Sequence, residues 1–174
     1  MSSEITVRVG PSPGDLGTVL AMHGRFYARE HSFDERFEAH VAKGLAAFAE
    51  ALGEARDEPG AEPGRLWLAE RDGEVVGTVG LTDEGAGTAK LRWFLVSPEV
   101  RGSGVGKRLI RALLEYARER DFERILLSTV GQLEAAAHLY LDAGFHCTER
   151  RSVRQWGQHL DELDYRLDLR QPGS

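Results

Sequence analysis

The sequence predicts an α/β domain (of the α+β type), with a mixed, mostly antiparallel sheet of six or seven strands flanked by about four helices. Three observations support this. Short runs typical of strands recur along the chain, two segments carry apolar residues at helical spacing, and a glycine-rich junction separates a strand from a further helix. The segments follow the order β-α-α-β-β-β-α-β-α-β-β. We expect one domain over residues 1–174, a length sufficient for one buried core.

The N-terminal part predicts one strand and two helices. Ile5–Val9 alternates apolar and polar residues, as a half-buried strand does. Asp15 is placed to cap a helix that ends near Glu30. A second helix is expected after Ser32 or Asp34, because six apolar residues recur at helical spacing. They are Phe33, Phe37, Val41, Leu45, Phe48 and Leu52.

The middle of the chain predicts a hairpin and two buried strands. Asp72-Gly73 lies between two runs typical of strands, which is a strong signal for a tight hairpin turn. The next strand is ended by Pro98, and its last residues, Trp93–Val96, are continuously apolar. That pattern predicts burial on both faces. The segment "RILLSTV", residues 124–130, is likewise expected to be a buried strand.

The C-terminal part predicts two helices and two strands. Apolar residues between Leu109 and Ala117 define one helix face, and the segment 132–145 predicts a helix closed by Gly144. Two alternating strands follow, at Cys147–Trp156 and Leu163–Arg170. If they form sheet edges, a homodimer that pairs or covers those edges is expected.

Composition excludes several classes of function. The net charge of −6 argues against nucleic acid as a partner, which would need a basic surface. One cysteine, Cys147, excludes an intrachain disulfide and a multi-cysteine metal site, and the histidines are too scattered for zinc, so no metal is expected. Cys147 itself is expected to pack in the core. With no bilayer-spanning run and no signal-type N-terminus, we expect a cytoplasmic protein that does not bind membranes.

The stretch "SPEVRGSGVGKRLI", residues 97–110, predicts a phosphate-binding loop at a helix N-terminus. Gly102, Gly104 and Gly106 allow a close approach of the backbone to a ligand, and the helix dipole favours an anion. The Walker A and dinucleotide patterns both fail, because Arg108 and Lys107 stand where they need Ser or Thr and a third glycine. A nucleotide-binding domain of another kind is therefore disfavoured. A glycine turn without a ligand is the plain alternative.

Two motifs resemble the GNAT superfamily of N-acetyltransferases. Arg101, Gly104 and Gly106 match its [RQ]-x-x-G-x-[GA] loop after a buried strand. "AAHLYLDAGF", residues 136–145, matches its A-x-x-x-Y-x-x-x-G-F helix. The order of elements also matches the GNAT fold, so the resemblance covers nearly the whole chain. The segment "HGRFYAREHSFDERFEAHVA" is further similar to the acetyltransferase half of MarR–GNAT fusions.

The resemblance implies a binding site for acetyl-CoA. The loop residues would hold the pyrophosphate, with backbone amides from about Arg101 to Gly106 as donors, and a strand segment would lie beside pantetheine. The implied residues are Phe94, Leu95, Val96, Arg101, Gly102, Ser103, Gly104, Val105, Gly106 and Lys107. Lys107, Arg108 or Arg111 would reach the ribose phosphate, and the amide of Leu95 or Val96 would polarise the thioester carbonyl.

The resemblance also implies the catalytic groups. Tyr140 would protonate the leaving sulfur as a general acid, although a core tyrosine is the alternative. Glu30 is the first candidate for the base, ahead of His31 and His23. Many family members carry an Asn that contacts pantetheine. The matching position here is Leu133, with Gln132 beside it.

The function implied is acetyl-CoA-dependent transfer of an acetyl group to the amine of a small molecule. The acidic composition favours a cationic acceptor. Two alternatives remain open: a non-catalytic module that binds or senses acyl-CoA, and an N-acetyltransferase that acts on proteins.

Overall fold

A computed structural model describes residues 3–169 of the chain, which form seven strands and four α-helices. The strands are β1 Thr6–Gly10, β2 Gly64–Arg71, β3 Glu74–Gly85, β4 Thr88–Val96, β5 Arg124–Val130, β6 His146–Gln155 and β7 Gln158–Asp168. The helices are α1 Asp15–His31, α2 Glu35–Ala55, α3 Val105–Glu119 and α4 Glu134–Asp142. The predicted fold class is confirmed. The last predicted strand, by contrast, begins at Gln158, and its final residue, Arg170, lies outside the described residues.

All seven strands belong to one sheet in the order β1-β2-β3-β4-β5-β7-β6. Every neighbouring pair is antiparallel except β4 and β5, which run parallel. Because β7 lies between β5 and β6, only one of the two C-terminal strands is at an edge. The expectation that both present edges is therefore wrong.

Asp15 does not cap α1 as the sequence predicted. The cap residue is Gly14, at φ 91°, and no side chain caps the helix. The Asp15 carboxylate instead accepts two hydrogen bonds from the Arg8 guanidinium, at 2.8 Å each, which tie α1 to β1. This pairing lowers the pKa of Asp15. The second helix is capped as expected, because the Asp34 side chain accepts a hydrogen bond from the amide of Arg36.

Three hairpins close with two-residue turns in which both residues have positive φ. The predicted turn at Asp72-Gly73 is confirmed, with φ angles of 53° and 78°. Ala86-Gly87 joins β3 to β4 in the same way, and Trp156-Gly157 joins β6 to β7. Such turns match the twist of antiparallel strands. Glycine adopts a positive φ without strain, which explains why it takes the second position each time.

A bulge at Trp93 reverses the two faces of β4. Trp93 has a φ of 52°, and the register with β3 shifts between Thr78 and Gly80. Before the bulge, Ala89 and Leu91 pack in the core beneath α3; after it, Trp93 and Leu95 pack in the core beneath α1 and α2. A strand normally keeps one residue parity on one face, so this bulge turns the even-numbered residues from the α2 side to the α3 side.

Two predicted strands are less buried than expected. Burial alternates along β4, so Phe94 and Val96 are only half-buried and the expected burial of Trp93–Val96 on both faces is wrong. Burial also alternates along β5, where Leu126 is 38% exposed. Ile125 and Leu127 pack in the core on one face of β5, whereas Leu126 and Ser128 on the other face are exposed. Cys147, expected in the core, is exposed because β6 is an edge strand.

We expect the change Gly80→Ala to destabilise the protein by about 1–3 kcal/mol, because it overpacks the bulge. A methyl group on Gly80 would lie 2.5 Å from Cε3 of Trp93, whose ring packs against Phe48 at 5.5 Å. Gly53→Ala in α2 is the matched control, since nothing lies within 4 Å of the added methyl group there. Urea unfolding measures both. A Gly80→Ala midpoint equal to that of Gly53→Ala would show that the bulge tolerates the methyl group.

Candidate functional site

The glycine loop enters α3 through two left-handed residues. Gly102 and Gly104 have φ angles of 81° and 86°, a conformation that glycine adopts without strain. A methyl group on either residue would meet nothing within 4 Å, so the space in front of the loop is open. The loop is therefore shaped by backbone conformation and leaves room for a ligand.

Five backbone amides of this loop donate to no acceptor within residues 3–169. They belong to Gly102, Gly104, Val105, Gly106 and Lys107. The first turn of a helix always leaves such donors, and the positive end of its dipole lies there too. Two of the amides predicted to donate to the ligand instead donate to the backbone. The Arg101 amide bonds to the Pro98 carbonyl and the Ser103 amide to the Val100 carbonyl.

Gly106 brings α3 close to β4 and α4. A methyl group there would lie 2.7 Å from Cδ1 of Leu139 and 3.4 Å from Cζ of Phe94. The third glycine of the loop therefore has a different role from the other two: it allows close packing where the loop, the strand and the second motif helix meet.

A cavity of about 640 Å³, here called the larger cavity, opens in front of this loop. Nine of the ten residues predicted to bind the cofactor line it, the exception being Ser103, whose hydroxyl donates to the Val100 carbonyl. Gln132 and Leu133 line it as well. Sites for small molecules and cofactors occupy about 300–1,000 Å³, so the volume suits such a ligand.

Of the predicted cations, Arg101 and Lys107 line the larger cavity. The Arg101 guanidinium lies over the ring of Phe26, with Cζ 5.3 Å from its centre, and so reaches across to α1. Arg108 turns away and donates to the carbonyl of Ile5 at 2.7 Å. Among the three residues considered for a ribose phosphate, Lys107 is the one that faces the larger cavity.

The sheet opens along the second half of β4. Pairing with β5 extends only from Thr88 to Lys90, and the two strands separate beyond that point. The amide of Ser97 donates to Val76 of β3 at 2.9 Å. Because amides alternate along a strand, the amide of Val96 points the other way, toward the gap. Of the two predicted donors, Leu95 and Val96, this geometry favours Val96.

A second cavity, of about 200 Å³ and here called the smaller cavity, lies against this gap under α1 and α2. It shares Tyr27, Phe94 and Leu133 with the larger cavity. The two spaces therefore adjoin where β4 and β5 separate. The sequence did not predict the smaller cavity, because its walls come from five elements that only the fold brings together.

The tip of the β6–β7 hairpin covers the smaller cavity. Trp156 packs its ring on Phe33 at 5.1 Å and on Phe37 at 4.9 Å. Its carbonyl accepts a hydrogen bond from the amide of Asp34, at 3.0 Å, at the start of α2. These contacts close the side of the cavity that faces the α1–α2 turn.

Tyr140 lines the smaller cavity and is 4% exposed. Its ring packs near those of Phe94, Phe145 and Tyr165, at 5.8–6.0 Å between centres. The hydroxyl forms no hydrogen bond with the described part of the chain. Burial raises the pKa of Tyr140, so the group keeps its proton at neutral pH and is available as a donor.

The three candidates for the base are divided between the cavities. Glu30, which is exposed, and His31 line the larger cavity, whereas His23 lines the smaller one. The structure therefore does not bring Glu30 and Tyr140 into one cavity. His23 is buried, and its Nδ1 donates to the Val19 carbonyl at 2.8 Å, while Nε2 has no partner. Burial lowers the pKa of His23 to about 4, so Nε2 is a neutral acceptor.

The described residues contain no group of three or more His, Cys, Asp or Glu side chains arranged to hold a metal ion. None of the helices in this part of the chain is both long and apolar enough to cross a membrane.

A family model described as "Acetyltransferase (GNAT) family" matches residues 42–145, which include the glycine loop and the Tyr140 helix. Among curated proteins, N-acetyltransferase 8B of Rattus norvegicus is 34% identical over 59% of this chain and 45% of its own length. An uncharacterized N-acetyltransferase of Escherichia coli, YjgM, is 38% identical over 48% of this chain and 53% of its own length. The chain thus matches about half the length of these relatives.

Solved structures share the fold. An acetyltransferase of the GNAT family from Staphylococcus aureus superposes with a TM-score of 0.75 at 18% identity, covering 96% of this chain and 100% of its own. A ribosomal-protein-alanine N-acetyltransferase from Brucella melitensis does so with a TM-score of 0.69 at 21% identity, covering 94% and 99%.

Proposed function

The chain belongs to the acetyltransferase (GNAT) family, and we propose that it is an acetyl-CoA-dependent N-acetyltransferase that acetylates the amine of a small molecule. One observation carries the proposal. A cavity fronted by five loop amides that donate to no acceptor within residues 3–169 adjoins the smaller cavity at the gap between β4 and β5. A donor and an acceptor in these two spaces would meet at that gap.

The larger cavity suits acetyl-CoA. The amides of Gly102 and Gly104–Lys107 would hold the pyrophosphate, and Arg101 and Lys107 would add charge to the same site. Phe94, Leu95 and Val96 would flank the pantetheine arm. When bound, acetyl-CoA supplies an acetyl group activated as a thioester. The Val96 amide, directed into the gap, would donate to the carbonyl oxygen, where negative charge develops during transfer.

Tyr140 is the general acid in this proposal. The nitrogen of the acceptor would bond to the acetyl carbon and lose one proton to a base or to water, and the carbon–sulfur bond would break. The Tyr140 hydroxyl would give its proton to the sulfur and regain one from solvent. Two features of this residue support the assignment: it lines the smaller cavity, and its hydroxyl has no partner within residues 3–169. The assignment of Glu30 as the base remains a prediction. Its position does not favour that role, because Glu30 lines the larger cavity whereas Tyr140 lines the smaller one.

The size of the smaller cavity supports a small acceptor. Its volume is about 200 Å³, and Trp156 covers the side toward the α1–α2 turn. A protein acceptor would have to insert its terminus past that cover. The resemblance to MarR-fused enzymes, the single domain, the cytoplasmic location and the homodimer stay predictions.

Thiol release from acetyl-CoA tests the proposal directly. The purified chain is incubated with acetyl-CoA and panels of small primary amines and of short peptides, and acetylated products are identified by mass spectrometry. We expect one thiol released for each acetylated small amine. Transfer to peptides alone would instead identify a protein N-acetyltransferase. Binding of acetyl-CoA without transfer to any acceptor would identify a binding module.

A further inference from the structure

The charge lining the smaller cavity is opposite to that of the whole chain. Lys90 and Arg92 of β4 line it, and no aspartate or glutamate among residues 3–169 does. The bulge at Trp93 explains their position, because the even-numbered residues before it face α2 and those after it face α3. The net charge of −6 therefore gives no guide to the acceptor here.

Neither cation forms an ion pair within residues 3–169. The Asp164 carboxylate accepts hydrogen bonds from Arg151 and Ser128, at 2.8 Å each, and the Arg151 bond is the main reason why the pKa of Asp164 is lowered. The charge of Lys90 makes only a smaller contribution. Glu84 likewise interacts with Arg92 electrostatically without forming an ion pair with it. The Glu84 carboxylate accepts a hydrogen bond from the Thr82 hydroxyl. Both cations therefore face the smaller cavity without a direct counter-ion.

The remaining polar lining of the smaller cavity includes two neutral rings. His23 is 4% exposed, with Nε2 unpartnered, and burial lowers its pKa to about 4. His40 of α2 also has a lowered pKa, because burial and the nearby Arg92 and Lys90 disfavour its charged form. The cavity therefore combines two cations with the acceptor nitrogen of His23, a pattern that complements a carboxylate and an N–H donor.

Aromatic rings form much of the remaining wall, beside the polar Ser128 and Thr129. Phe33, Phe37 and Trp156 pack together at 4.9–5.2 Å between ring centres, and Tyr27 lies 4.5 Å from Phe37. An acceptor in this cavity would bury an apolar side chain against these rings.

Building on the proposed function, we propose that the acceptor is a small amine that carries a carboxylate and an apolar side chain, with Lys90 and Arg92 binding the carboxylate. A hydrogen bond to a charged group in such a site is worth about 10- to 100-fold in affinity. The two cations also disfavour a protonated amine beside them, which helps to keep the nucleophile neutral.

Matched acceptors test this proposal. Each pair differs by the carboxylate alone: L-phenylalanine and 2-phenylethylamine, L-leucine and 3-methylbutylamine, L-methionine and 3-(methylthio)propylamine. We expect kcat/KM to favour the carboxylated member of at least one pair by about 10- to 100-fold. Equal or better turnover of the amine without the carboxylate in every pair would overturn the proposal while leaving the acetyltransferase intact.

Variants locate the effect. Lys90→Met is expected to raise KM for the carboxylated acceptor about tenfold and to leave its carboxylate-free partner within about twofold, and Lys90→Arg is expected to restore binding. Lys43→Met is the matched control, because Lys43 is exposed on α2 and does not line the smaller cavity. The same loss in Lys43→Met would assign the effect to the overall charge and overturn the proposal.

A binding measurement separates this proposal from the proposed function. Trp93 and Trp156 line the smaller cavity, so their fluorescence is expected to report occupancy. The probes are N-acetyl-L-phenylalanine and N-acetyl-2-phenylethylamine, titrated in the presence of coenzyme A. Tighter binding of the first, weakened by Lys90→Met, supports the carboxylate site even in a chain that transfers no acetyl group. Equal binding of both overturns it.

Discussion

The variant Tyr140→Phe is expected to lower kcat by about 10²- to 10³-fold while leaving KM for acetyl-CoA nearly unchanged. The change removes only the hydroxyl that would protonate the leaving sulfur, and the ring contacts with Phe94, Phe145 and Tyr165 remain. Since that hydroxyl has no partner within residues 3–169, stability should change by less than about 1 kcal/mol. Steady-state kinetics and thermal unfolding measure the two effects.

Tyr165→Phe is the control for this result. Tyr165 is buried 5.9 Å from Tyr140 between ring centres, but it lines neither cavity. We expect its kcat to stay within about twofold of wild type, as for a substitution that touches neither substrate nor cofactor. If folded Tyr140→Phe also keeps its kcat within about twofold of wild type, Tyr140 is a core residue and its assignment as the general acid fails.

The turns and helices were the most predictable features, because local chemistry sets them. Asp72-Gly73 predicted its hairpin, since only residues that tolerate positive φ fit that turn. Ala86-Gly87 and Trp156-Gly157 carry the same signal, a glycine at the second position between runs typical of strands. They were missed because alanine and tryptophan at the first position are weaker turn residues than aspartate.

The bulge at Trp93 could not be predicted from its own segment. The residues Trp93–Val96 form an apolar run, and their two faces were assigned by that run alone. The left-handed Trp93 depends on the close approach of Gly80 on β3, a contact between strands. Local pattern therefore gave the strand, and tertiary contact decided which of its side chains face each cavity.

The larger cavity was predictable in a way that the smaller cavity was not. Its binding residues are consecutive in the loop and the strand before it, so Gly102–Lys107 formed a readable motif. The smaller cavity takes Lys90 and Arg92 from β4, His23 from α1, and Trp156 from a distant hairpin. Residues so far apart in the chain form no motif, which is why the acceptor side needed the fold.

Isothermal titration of acetyl-CoA into Gly104→Glu and Gly104→Gln is the most direct test of the loop as the donor site. Both variants carry the same cost of a side chain at a φ of 86°, both side chains enter open space, and they differ in charge alone. We expect the glutamate variant to bind at least about 100-fold more weakly than wild type, and the glutamine variant to lose about tenfold or less. Folded glutamate and glutamine variants with equal affinity would contradict the placement of an anion at this loop.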